Sequence, residues 1–259
     1  MNSPIDCTVS KLRASDGADL GTFRVCPKPA AEPDSFSSFG ALAFDGANIW
    51  VASGSNNRVT KLKASDGTVL GSYAVGKGPT GVAFDATDIW VASSRANRVT
   101  KLRATDGAQL GTYDAGENPQ FVAFDGSNVW VTNAAGVAKL DQNGKKLGVY
   151  STGNTPEGLA FDGANVWVVN SGSDNITEIR ASDGAQLGTF AVGHLPFAIA
   201  FDGHALWVTD NGGNSVTELR ASDGADVGTF PVRSAPAGIA FDGANIWVAN
   251  AGANTASKL

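Results

Sequence analysis

Short apolar runs recur along the whole chain, separated by turn-forming clusters, and one stretch shows the pattern. Gly81-Val82-Ala83-Phe84 (strand a) leads through an Asp-Ala turn to Ile89-Trp90-Val91-Ala92 (strand b), which is apolar at every position. Val99-Thr100-Lys101-Leu102 (strand c) alternates, and Leu110-Gly111-Thr112-Tyr113 (strand d) closes the set. Alternation predicts a half-buried strand, whereas a continuous apolar run of this length predicts a strand covered on both faces. Asp106-Gly107 between c and d predicts a hairpin, because glycine accepts the positive φ of a tight turn. No segment sustains a 3.6-residue period, so no helix longer than a turn or two is expected.

The pattern repeats. Tryptophans stand at 50, 90, 130, 167, 207 and 247, with spacings of 40, 40, 37, 40 and 40 residues. Each lies in a version of Phe-Asp-Gly-Ala-Asn-Ile-Trp-Val-Ala. Four short strands every ~40 residues, with inner strands apolar on both faces, predict an all-β, six-bladed β-propeller of four-stranded antiparallel blades. A single domain over 1–259 is expected, with the tryptophans as scaffold. Seven segments fit strand c, since both Val9–Leu12 and Ala256–Leu259 match. The simplest ring closure has the N-terminal c–d hairpin completing the last blade, which leaves 255–259 surplus.

Composition narrows the function classes. With 19 Lys+Arg against 25 Asp+Glu and a net charge of −6, the chain lacks the basic excess of a nucleic-acid binder. No apolar run approaches the ~18 residues of a membrane span. Cys7 and Cys26 flank a hairpin-like stretch whose turn is Ser15-Asp16-Gly17. They are either two half-buried thiols or a disulfide. The near-opposed placement favours the bridge, and with it a secreted or periplasmic location, although no signal peptide precedes them.

The segments Phe-Asp-Gly-Ala-Asn-Ile-Trp-Val-Ala-Asn and Asn-x-Val-Thr-x-Leu-x-Ala-Ser-Asp-Gly resemble the bacterial propellers grouped as YncE-like, NHL-repeat and virginiamycin B lyase-like. The resemblance covers essentially the whole chain and implies that strand a lines a central channel. It also implies that the d–a and b–c loops share the ligand face. For streptogramin lyases it further implies a histidine just after the proline entering strand a, with more His and Glu and a magnesium ion nearby. Here those positions are Gly40, Thr80, Gln120, Glu157, Phe197 and Ala237. None is histidine; the two in the chain are His194, in a d–a loop, and His204, in an a–b turn.

The six repeats serve as an internal alignment. Asp45, Asp85, Asp125, Asp162, Asp202 and Asp242 occur in every blade and read as turn residues. Asn97, Asn175, Asn214 and Asn254 read as braces of the b–c loops. Departures from the repeat cluster on the d–a/b–c face. They comprise Gln120, Phe121, Glu157, His194, Phe197 and Asp210, a b–c loop shortened at Asn133–Val137, and an insertion within 27–39. Gly76-Lys77-Gly78-Pro79-Thr80-Gly81 spells a phosphate-loop motif, but a strand follows it, not a helix. The favoured function is therefore a monomeric, non-enzymatic propeller without cofactor. It would bind a protein, peptide or carbohydrate through Gln120, Phe121, Glu157, His194, Phe197 and Asp210. The alternative is a lyase or hydrolase at the same face, using Glu157, His194 and Asp210 around a divalent cation. A repeat scaffold without any ligand is the third reading.

Overall fold

The computed structural model describes residues 8–25, 39–54 and 56–259. The Cys7–Cys26 pairing and all but the last residue of the 27–39 insertion lie outside these. The strands begin with β1 (Thr8–Leu12) and β2 (Asp19–Arg24). The next two groups are β3 (Phe39–Phe44), β4 (Asn48–Ser53), β5 (Arg58–Lys63) and β6 (Val69–Ala74), then β7 (Pro79–Phe84), β8 (Asp88–Ser93), β9 (Arg98–Arg103) and β10 (Gln109–Tyr113). There follow β11 (Val122–Phe124), β12 (Asn128–Asn133), β13 (Gly136–Asp141) and β14 (Lys146–Tyr150), then β15 (Pro156–Phe161), β16 (Asn165–Asn170), β17 (Asn175–Arg180) and β18 (Gln186–Ala191). The last are β19 (Pro196–Phe201), β20 (Ala205–Asp210), β21 (Ser215–Arg220) and β22 (Asp226–Pro231), then β23 (Pro236–Phe241), β24 (Ile246–Asn250) and β25 (Thr255–Lys258). A single 3-10 turn at Ser94–Ala96 is the only helical element among the described residues.

Each of the five central groups is a four-stranded sheet with its strands in chain order. The fold is an all-β, six-bladed β-propeller. Two compact units divide the chain, Met1–Val122 and Ala123–Leu259. In the first, Trp50, Ala52 and Val59 of one blade pack on Val82, Ile89, Val91 and Leu102 of the next. In the second, Trp167, Val169 and Ile176 pack in the same way on Ile199, Leu206, Val208 and Leu219. In the first unit Ile89 and Val91 of β8 pack against the preceding blade, and β8 is buried at all six positions. Trp50, Trp90, Trp130 and Trp167 have no exposed surface.

The expected closure differs from what is observed. Thr255–Lys258 is not surplus: β25 pairs with β24, in the place given above to Val9–Leu12. β1 and β2 form a two-stranded sheet of their own, and Val9 and Phe23 pack on Val51 and Leu62 of the first blade. The two competing segments are Thr8-Val9-Ser10-Lys11-Leu12 and Thr255-Ala256-Ser257-Lys258-Leu259, alike at four of five positions. Pattern cannot choose between them. The segment five residues from β24 in the chain closes the smaller loop, and so costs less entropy.

Two side chains stitch consecutive blades together. The strand-d aromatic lies against its own blade's tryptophan, as in Trp50–Tyr73 at 5.6 Å and Trp167–Phe190 at 5.5 Å between ring centroids. The same ring seats on the c–d turn glycine of the next blade: Tyr73 on Gly107, and Phe190 on Gly224. The strand-c lysine also reaches forward. Lys61 Nζ donates to Ala104 O at 2.7 Å, and Lys139 Nζ to Ala181 O at 2.6 Å, each above a tryptophan ring.

Candidate functional site

The recurrent aspartate is scaffold, as its repetition predicts. Asp162 Oδ1 accepts the Ala164 and Asn165 N–H groups at 2.8 and 2.7 Å, which closes the a–b turn. Its Oδ2 accepts the indole N–H of Trp167 at 2.7 Å. The same indole bond occurs at Asp45, Asp85, Asp125, Asp202 and Asp242. Residue reasoning identified the turn and missed the indole, although a constant five-residue spacing from Asp to Trp signalled it.

The loop braces are also observed, with one correction. Asn57, Asn97 and Asn214 adopt a positive φ near 54° and accept a d–a loop N–H, from Gly78, Asn118 and Ala235 respectively. In the fourth blade this role falls to Asp174, not Asn175; Asp174 Oδ1 accepts the Leu195 N–H at 2.8 Å. Asn175 instead accepts a hydrogen bond from Asn170.

The candidate residues fall in different surroundings. Gln120, in the first unit, is half-buried; its Nε2 donates to Asn118 Oδ1 at 3.0 Å, and its carbonyl accepts from Thr80 Oγ1 at 2.8 Å. Phe121 beside it is half-buried. In the second unit, Glu157 and Phe197 hold matching positions after the prolines that open β15 and β19. These strands run side by side there: a Cβ built on Gly158 would lie 2.8 Å from the Phe197 carbonyl oxygen. Glu157 is partly buried, and burial alone pushes its carboxyl group up to about 7. Among the described residues it has no hydrogen-bond or ionic partner.

His194 and Asp210 do not join Glu157. His194 is exposed, and its Nδ1 lies 3.2 Å from Asp174 Oδ2. Asp210 has no exposed surface and is enclosed by donors: Gly193 N–H at 3.0 Å, and the Ser215 and Thr217 hydroxyls at 2.8 Å each. Burial raises its pKa and the Asp174 charge adds to this, while the three hydrogen bonds oppose it. The carboxylate that acts on Asp210 in this balance is Asp174. The shortened loop becomes a two-residue turn in which Asn133 pairs with Gly136.

A divalent cation, as the lyase resemblance implies, does not fit these residues. Among those described, no group of three or more His, Cys, Asp or Glu is placed to hold a metal ion. The arrangement offers one carboxyl group, without a partner among the described residues, on a strand that runs beside that of Phe197.

No protein-family model matches the chain, and no curated protein does. Among solved structures, the chain is similar to a streptogramin B lyase, with a TM-score of 0.81 at 22% identity. That match covers 98% of this chain and 86% of the other. It is also similar to hydrazine synthase of Kuenenia stuttgartiensis, with a TM-score of 0.81 at 17% identity, covering 98% of this chain and 89% of that one. At these identities the likeness shows the propeller fold.

Proposed function

We propose that this chain is a binding propeller without catalysis, which presents its d–a/b–c face to a protein, peptide or carbohydrate. The observation that carries the reading is Glu157. A carboxyl group held partly out of water without a donor loses hydration, and gains nothing from the protein in return. An ammonium, guanidinium or sugar hydroxyl of a ligand would supply the missing donor, and Phe197, at the matching position of the neighbouring strand, adds an apolar residue to the same face. An acid–base pair of Glu157 with His194 or Asp210 would need both groups within reach of one substrate. His194 is turned to Asp174, and Asp210 is enclosed by its own donors. Gln120 and Phe121 are a further candidate contact, in the first unit. On cysteine placement alone, we also propose a Cys7–Cys26 disulfide and an extracytoplasmic location.

The second reading, a lyase or hydrolase at this face, is favoured by the fold shared with a streptogramin B lyase. A carboxyl group near 7 also suits proton transfer at neutral pH. The experiment is calorimetric titration with poly-L-lysine, chitohexaose and laminarihexaose, using the native protein and Glu157→Gln. Alongside it, a streptogramin B is incubated with protein and Mg²⁺ and followed by mass spectrometry. Binding of one probe, weakened about tenfold or more in Glu157→Gln (~1.4 kcal/mol), with the antibiotic unchanged, is expected. No heat from any probe, or a ring-opened antibiotic, overturns the binding reading.

A further inference from the structure

The d–a loop that leads into Pro196 and Phe197 is held differently from its sisters. At the end of strand b, a polar residue lies against the loop glycine: Ser93 against Gly76, Asn170 against Gly153 and Asp210 against Gly193. A b–c loop residue with positive φ then caps a later N–H: Asn57, Asn97 and Asn214 in three blades, Asp174 here. The b–c loop side chains that cap the sister loops, Asn57, Asn97, Ser173 and Asn214, are neutral, and the one sister carboxylate seen here, Asp114 on Gly116 N–H at 3.0 Å, belongs to its own loop. This one is held by two carboxylates, with Asp210 on Gly193 N–H at 3.0 Å and Asp174 on Leu195 N–H at 2.8 Å.

We propose that Asp210 and Asp174 are positioning residues that hold Gly193–Leu195, and Phe197 beyond it, in a pH-dependent way, acid weakening the two holds one after the other. A hydrogen bond to a carboxylate is roughly twice as strong as one to a neutral acceptor, so protonation loosens each hold. The order follows from the surroundings. Asp210 is buried and feels the negative charge of Asp174, so it takes up a proton more readily than an ordinary aspartate. Asp174 is lowered by the Leu195 N–H and by His194, so it stays ionised longer. Among the described residues, the charged groups seen at the pair are these two carboxylates and His194, and Ser215 and Thr217 of β21, which donate to Asp210, do not titrate in this range.

The consequence at Phe197 rests on the binding reading, but the test needs no ligand. Amide chemical shifts of Gly193, Leu195 and Phe197 are followed by NMR from neutral to acid pH, with Gly153 as an internal control. The native protein is expected to show a Gly193 step at higher pH than the Leu195 step, Phe197 moving with Gly193, and Gly153 flat. Asp210→Asn should lose the Gly193 step, and Asn170 shows that asparagine fits this position. Asp174→Asn should lose the Leu195 step and move the Gly193 step to lower pH, because the neighbouring charge is gone. A flat Gly193 in the native protein, a step surviving in Asp210→Asn, or a Gly193 step unmoved by Asp174→Asn overturns the proposal. A Phe197 that ignores both steps removes it from the segment held.

Discussion

Asp162, Asp210 and Glu157 each occupy a fixed place in the repeat, yet they meet different donors. Asp162 accepts two backbone N–H groups and an indole, and Asp210 a backbone N–H and two hydroxyls, whereas Glu157 meets none among the described residues. For Glu157 the linkage has a definite sign. Its folded pKa is raised from 4.5 to about 7, so the folded chain holds the proton more tightly than the unfolded one. Stability therefore falls as pH rises from 4.5 to about 7 and stays lower above that, by at most ~3 kcal/mol. Urea unfolding of Glu157→Gln should match the native protein near pH 4 and exceed it by up to that amount near pH 8. Equal stability at both pH values would mean that Glu157 is well solvated. The turn role of Asp162 was legible in the sequence because its partners are two to five residues away and recur in every repeat. Asp210 meets Ser215 and Thr217 on the next strand and Gly193 17 residues earlier, and His194 meets Asp174 20 residues earlier; the long contacts bridge separate loops and leave no local spacing signal.

At the scale of elements, the c–d hairpin carries the contact between successive blades. Gly107 has φ +74°, and an added Cβ there would collide with the Tyr73 ring seated on it from the preceding blade. Gly107→Ala therefore combines left-handed backbone strain of ~1–2 kcal/mol with displacement of a ring that packs on Trp50. A loss of about 2–4 kcal/mol in urea unfolding is expected. If the ring seat matters, the double variant Gly107→Ala/Tyr73→Ala should lose less than the sum of the single changes; strict additivity would show that only the backbone is strained. Strands and turns could be read from pattern because each is local. The partner of β24 could not, since Thr8–Leu12 and Thr255–Leu259 carry nearly the same five residues.

For the whole molecule, surface charge is a small part of stability. Arg13–Asp16, Lys63–Asp66, Arg103–Asp106, Arg180–Asp183 and Arg220–Asp223 are each 2.9 Å ion pairs bracing a c–d turn, and all are about half exposed. Pairs of this kind are screened by water and salt and contribute little. Raising NaCl to about 1 M should shift the melting temperature by only a few degrees. A collapse in scanning calorimetry would show that the turns depend on their ion pairs. The interlocking of blades by forward-reaching side chains also shapes how the chain is made. Lys61 finds Ala104 only 43 residues later, and Lys139 finds Ala181 42 residues later. On a ribosome adding ~5–20 residues per second, a finished blade waits about 2–8 seconds for its neighbour to emerge. During that interval its tryptophan-bearing face is open to solvent, so nascent chains should expose chaperone-binding surface in pulses with the period of the repeat.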